Sequence, residues 1–289
     1  MGMIDLFRRK TIGARVSGGS ICVWGPTGSP GKSTFALNLA CELALSGRKV
    51  LLIDLDTHSP SIGTFLGIHQ LPPGLAAAAR LVGQGRLDGE QFLRLSIAHE
   101  AGKGTLSVLT GLGSESRWPE ITSEKTRDLI AAAVQSYEYV VLDVASPLEP
   151  GLKQVGGVVD RNVATRTALQ SCTTAVAIFN SDQVGVKRFC DAYEQLFGLV
   201  RSPILVANRL RTTALGASAK VQVEDAILEM CRSEVKWFIP EDRASCDRAV
   251  LEMVPLAMLK RSSGARQAIA QFARKNFDIA DGRKSASAI

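Results

Sequence analysis

Residues 25–34 read GPTGSPGKST, directly behind the apolar run SICVWG. A glycine-bearing loop that opens into lysine and serine after a strand is the pattern of a phosphate cradle. Its glycines let backbone amides turn inward, and the helix that follows aims its N-terminal dipole at the same place. On this reading Thr27, Gly28, Ser29, Pro30, Gly31, Lys32, Ser33 and Thr34 bind the phosphates of a nucleotide. Lys32 reaches the β- and γ-phosphates and the Ser33 hydroxyl holds Mg²⁺. Two prolines depart from the usual spacing: Pro26 stands where a leading glycine belongs, and Pro30 removes one amide donor. The competing reading is a glycine–proline turn with an incidental lysine, disfavoured because Gly-Lys-Ser at a strand-to-helix junction is rarely incidental.

Carboxylates fall where such a loop needs them. LLIDLDTHSP ends its strand in Asp54 and follows with Asp56, and YEYVVLDVAS ends another in Asp143. In a parallel sheet the C-terminal strand ends gather at one edge, beside the phosphate loop. Carboxylates there hold Mg²⁺ through its water shell and orient an attacking water. One alone is often a helix cap; three beside a phosphate loop form a constellation.

The elements that must position these residues are legible as alternation. Candidate strands are 21–24, 50–54, 106–110, 139–143, 174–179, 204–208 and 235–239, each apolar on successive residues, as expected when both faces of a parallel sheet are covered. Helical patterns fill 32–46, 122–136, 182–198, 217–231 and 264–277. The fold class is therefore α/β: a doubly wound, mostly parallel central sheet with helices on both faces, the P-loop nucleoside-triphosphatase arrangement. No linker divides it. The expected organisation is a flexible basic segment 1–18, one domain 19–277 and a disordered tail 278–289.

With these motifs in place the chain resembles the MinD/ParA family of P-loop ATPases over residues 19–277. The likeness rests on TGSPGKS (27–33), LLIDLD (51–56), VVLD (140–143), ANRL (207–210) and IPEDRASCDRAV (239–250). The resemblance implies ATP and Mg²⁺ as cofactors, with Lys32 and Asp56 catalytic, Asp56 positioning the hydrolytic water. It implies Ser33, Asp54 and Asp143 around the metal, Asp143 being the Walker B acid. Asn208 would read adenine, with Arg209, Pro240 and Glu241 in the matched segments bordering the base. Asn208 taken by itself reads equally as a turn residue after a strand. One departure stands out. The family's additional lysine, which reaches across an ATP-sandwich dimer, belongs at position 27, where this chain has Thr27. Slow hydrolysis follows, since such a charge resembles an arginine finger worth about 10³-fold in rate; Arg161 and Arg166 are candidate substitutes, or else lie on an exposed helix face. The middle segments GLAAAARLVGQGRLD, LSVLTGL and RWPEIT resemble the CpaE/TadZ branch of actinobacterial type.

Composition narrows the class. In 289 residues, 46% hydrophobic and 21% charged, no apolar run approaches the ~20 residues of a membrane span. Six scattered cysteines without a C-x-x-C pair read as reduced and buried in a cytoplasmic protein, and argue against zinc or iron–sulfur ligation. The formal charge of +6 permits weak nonspecific contact with DNA or a membrane surface. Arg201, Arg209, Arg211 and Lys220, with Lys260, Arg261 and Arg266, are the DNA candidates; Ile4 and Phe7 beside Arg8, Arg9 and Lys10 are the membrane candidate, and placement at a membrane or nucleoid the peripheral alternative. The expected function is an ATP-hydrolysing localisation switch acting as an ATP-dependent homodimer with a protein partner, positioning pilus or secretion machinery, septum or chromosome. The alternative is a non-catalytic nucleotide-binding scaffold of the same fold. A metabolic kinase or ligase is disfavoured, because His58, His69 and His99 form no constellation with an acceptor site.

Overall fold

A computed structural model describes residues 18–68, 74–101, 103–154, 157–216, 218–259 and 262–279. In chain order the elements are β1 (Gly19–Trp24), α1 (Lys32–Leu45), β2 (Lys49–Leu55), α2 (Ile62–Phe65), α3 (Gly74–Gly83), α4 (Gly89–Leu95), β3 (Ile97–Ala101), β4 (Gly104–Leu109), α5 (Ser123–Ser136) and β5 (Tyr139–Val144). Then follow β6 (Leu152–Gln154), β7 (Gly157–Val159), α6 (Val163–Ser171), β8 (Thr174–Asn180), α7 (Gln183–Leu199), β9 (Ile204–Leu210), α8 (Thr212–Leu215), α9 (Ala219–Cys231), β10 (Trp237–Pro240), α10 (Arg243–Glu252) and α11 (Gly264–Asn276).

Eight strands form one sheet in the order β10-β9-β8-β1-β5-β2-β4-β3. All neighbours run parallel except the edge strand β3, which is antiparallel to β4. The doubly wound α/β reading therefore holds, and its physical basis is visible in the two cores. Alternate residues of the apolar strands serve opposite faces. Cys22, Trp24, Leu51 and Ile53 pack with α3, α5, α7 and α9, whereas Ile21, Val23, Val50 and Leu52 pack with α1 and α11. Helix α1 is buried from Phe35 through Ala44 rather than on one stripe, because it lies between the sheet and α11.

Sequence pattern missed several elements for definable reasons. In α10 only Ser245 is buried, so it has no apolar stripe to read. Helix α3 is an alanine-rich run of ten residues, and β3 is a short edge strand. Helix α11 packs on its own domain, with Ala265, Ile269 and Phe272 buried.

The flanks expected to be mobile lie mostly outside the described residues. At the C-terminal one, Ile279 is buried and Arg48 donates to the Asp278 carbonyl at 2.7 Å. The membrane candidate at residues 4–10 and the basic pair Lys260 and Arg261 also lie outside them. Two of the remaining DNA candidates are engaged within the fold: Arg266 pairs with Glu42 at 2.8 Å and Arg211 with Glu241 at 3.5 Å. Among the described residues no helix is long and apolar enough to cross a membrane.

Candidate functional site

Strand β1 lies between β5 and β8, and the chain crosses from one side of it to the other after β5. That reversal opens the crevice where doubly wound sheets bind ligands. The loop 25–31 sits there. Both prolines are buried, at the anchored ends of the loop, while Thr27, Gly28 and Ser29 are exposed. Pro26 and Pro30 thus frame the cradle and leave its central residues exposed. Gly28, Ser29 and Gly31 all adopt positive φ, at 105°, 54° and 89°. Gly31 is the N-cap of α1 and offers no side chain to cap it. The first intrahelical amide bond is Phe35 N–H to the Gly31 carbonyl at 2.9 Å, so the amides of Lys32, Ser33 and Thr34 stay open for an anion. Asn208, at the end of β9, donates its Nδ2 to the Pro30 carbonyl at 2.7 Å. A Cβ at Gly31 would stand 2.6 Å from the same Nδ2, so glycine is required where loop and Asn208 meet.

The carboxylates converge from two strand ends, Asp54 and Asp56 from β2 and Asp143 from β5. Asp54 and Asp143 face each other in register across β2 and β5, and both are buried. Their surroundings differ. Asp54 accepts from the amides of Ser61 at 2.9 Å, Ile62 at 3.0 Å and Asp56 at 3.3 Å. Burial and the neighbouring Asp143 charge push its pKa well up, while the Ile62 amide pulls it back. Neither oxygen of Asp143 has a hydrogen-bond partner among the described residues. Burial raises its pKa to about 6, against the lowering influence of the Lys32 charge and the facing Ser33 hydroxyl, which stands outside strict hydrogen-bond geometry. Asp56 accepts from the amides of His58 and Ser59, both at 2.8 Å, and its other oxygen stands 3.8 Å from Lys32 Nζ. The oxygens of Asp54 thus tie down the loop 56–62, and the carboxylate without a hydrogen-bond partner among the described residues is Asp143.

A cavity of about 350 Å³ adjoins the loop, lined among others by Thr34, Asn208, Arg209, Pro240 and Glu241. The two halves of the expected base site, from sequence positions 208–209 and 240–241, are thus brought together. Their backbone is held by Ser181, whose amide donates to the Asn208 carbonyl and whose hydroxyl donates to that of Arg209.

Sequence reasoning missed a latch between two loops. Thr57 Oγ1 donates to the Arg161 carbonyl at 3.0 Å, the Arg161 guanidinium donates back to the Thr57 carbonyl at 2.9 Å, and His58 Nε2 lies 2.8 Å from Asn162 Oδ1. Arg166 is bound to Asp160 and to the Glu149 carbonyl. Both arginines offered as substitutes for a lysine at position 27 are therefore occupied by other partners in the chain. The only local signal was the Asp-Thr-His cluster after β2.

A strand, a glycine loop opening a helix, and buried acids at the adjacent strand ends define a P-loop nucleotide-binding protein. The pattern of the CobQ/CobB/MinD/ParA nucleotide binding domain matches residues 21–255, and the chain belongs to that family. It is 23% identical over 228 residues to the septum site-determining protein MinD of Synechocystis sp., covering 77% of this chain and 76% of that one. Among solved structures it superposes on a ParA family ATPase from Chlorobium tepidum with a TM-score of 0.71 at 17% identity, covering 89% of this chain and 99% of that one. It superposes on MinD from Pyrococcus horikoshii, solved as its Mg-ADP complex, with a TM-score of 0.67 at 19% identity, covering 89% and 94%.

Proposed function

We propose that this chain is an ATP-binding and ATP-hydrolysing switch of the MinD/ParA type, residues 19–277 forming the ATPase unit. The observation that carries this reading is Asp143, a buried carboxylate with both oxygens open, facing Ser33 and Lys32 at the mouth of the loop. A buried, unpaired acid is costly unless a cation completes it. Ser33 and Asp143 are the residues that would hold Mg²⁺, which when bound supplies positive charge against the β- and γ-phosphates. The chain's own groups do the rest. The amides of the loop and of the first turn of α1 hold the phosphates, and Lys32 exchanges Asp56 for phosphate oxygens. Asp56, so released, accepts a hydrogen bond from a water and aligns it on the γ-phosphorus, yielding ADP and phosphate. Asn208 and Pro240 border the adenine, and Asp54 keeps the loop carrying Asp56 in place.

The proposed output is an ATP-dependent homodimer that engages a protein partner, or a nucleoid or membrane surface, from the cytoplasm and lets go after hydrolysis. The middle segments favour the CpaE/TadZ-like branch, with pilus or secretion machinery, septum or chromosome as the object positioned. Thr27 favours a second reading, a nucleotide-binding scaffold that does not turn over. Phosphate release together with size-exclusion in ATP and in ADP separates the two. A switch releases phosphate at a rate that Lys32→Ala and Asp56→Ala each cut at least 100-fold, and elutes earlier with ATP. A rate indifferent to Asp56→Ala, with one elution volume in both nucleotides, leaves the scaffold.

A further inference from the structure

Position 27 lacks the cation expected there, yet a cation reaches the loop from elsewhere. Arg188 of α7 lies against Gly28: a Cβ built on that glycine would stand 2.0 Å from Arg188 Nη1 and 3.0 Å from its Cζ. The φ of 105° is what holds position 28 to glycine, and the missing Cβ lets the guanidinium lie close over it.

The placement is built into the fold. Strand β8 pairs with β1 on the side opposite β5, so α7, which follows β8, stands on the flank of the loop away from Asp143. Gly185 lets the first turn of α7 close on β8, since a Cβ there would meet the Asn180 carbonyl at 2.3 Å. Phe189 then anchors the helix, fully buried and stacked on Phe179 with centroids 4.4 Å apart. Arg188, beside that anchor and one turn beyond Gly185, is thereby carried on the part of α7 that borders the loop.

It is also chemically free. Its neighbour Asp191 is taken by Lys187 at 2.6 Å, and no carboxylate among the described residues pairs with Arg188. The guanidinium opens onto a groove of about 340 Å³ that it shares with Thr27, Leu148 and Glu149. A planar, permanently charged fork suits phosphate oxygens better than it suits most partners, and binds two at once.

We infer that Arg188 is a residue of the nucleotide site, supplying to its own loop, from α7, the terminal-phosphate cation that position 27 no longer provides. The inference rests on the nucleotide reading and deepens it: Arg188 distinguishes triphosphate from diphosphate. Placed on the developing charge of the γ-phosphoryl group, an arginine of this kind also accelerates its transfer.

The test is calorimetric titration of the full chain, in Mg²⁺, with ADP and with the slowly hydrolysed analogue ATPγS. Arg188→Ala is expected to lower the ratio of ATPγS to ADP affinity at least tenfold with ADP affinity within twofold of wild type. Arg188→Lys falls between, and Thr27→Lys added to Arg188→Ala restores the ratio. An unchanged ratio, or equal loss for both nucleotides, overturns the assignment, the second pointing to a structural role for Arg188. A wild type that binds neither nucleotide brings down the nucleotide reading itself, and the assignment with it.

Discussion

Asp54 and Asp143 sit opposite each other on neighbouring strands, equally out of solvent, and the fold treats them oppositely. The β2 end turns back on itself, so that three backbone amides close on Asp54. The β5 end runs straight on into the loop at Ala145 and leaves Asp143 bare. Position at the sheet edge is thus common to both; the donors around each decide its role. One acid is an internal fastening for the loop that carries Asp56, and the other is left without a hydrogen-bond partner among the described residues.

This contrast can be broken by exchange of single atoms. The largest effect is expected from Asp143→Asn, which removes the open charge: affinity for Mg-ADP falls at least 100-fold in calorimetry, while the melting temperature of the ligand-free chain at pH 7 rises. A binding protein that gains stability by losing its function is the signature of a stored cost, and a lowered melting temperature would refute the assignment.

Next comes pH. The Asp143 pKa of about 6 lies above the ordinary value of 3.8, so the fold holds its proton more tightly than the unfolded chain does. Its ionisation weakens the fold above pH 6, by about 2–3 kcal/mol at neutrality, and the loss is regained as pH falls from about 6 toward 3.8. Denaturant unfolding of the ligand-free chain should show this gain on mild acidification. Asp54, also raised, adds to it in the same direction. Asp143→Asn should therefore flatten the slope without abolishing it.

Asp54→Ala should act in the other sense. It leaves three backbone amides without their acceptor and costs about 1–3 kcal/mol of stability. Proteolysis within 56–62 should quicken. An Asp54→Ala chain as stable as wild type would mean that the three amides do not fasten the loop.

The smallest effect belongs to the latch. His58→Ala removes one bond to Asn162 and leaves the three between Thr57 and Arg161. Turnover should fall only a few-fold, with melting temperature almost unchanged. A hundredfold loss would make His58 part of the chemistry.

What the sequence by itself determined is what is local along the chain. The phosphate loop is legible because its amides, lysine and serine are consecutive through residue 34, and the strands are legible because burial on both faces demands unbroken apolar runs. Family resemblance extended this to Asn208 and Pro240, which the structure places around one cavity with Thr34. Nothing local marks α10, in which only Ser245 is buried. Only the tertiary structure decided which acid is satisfied and which is bare, that Arg161 and Arg166 are already bound, and that a guanidinium from α7 lies on Gly28. The reason is physical. A side chain's role depends on the donors and charges within a few ångströms of it, and at this site those arrive from segments more than a hundred residues apart, joined only when the sheet is assembled.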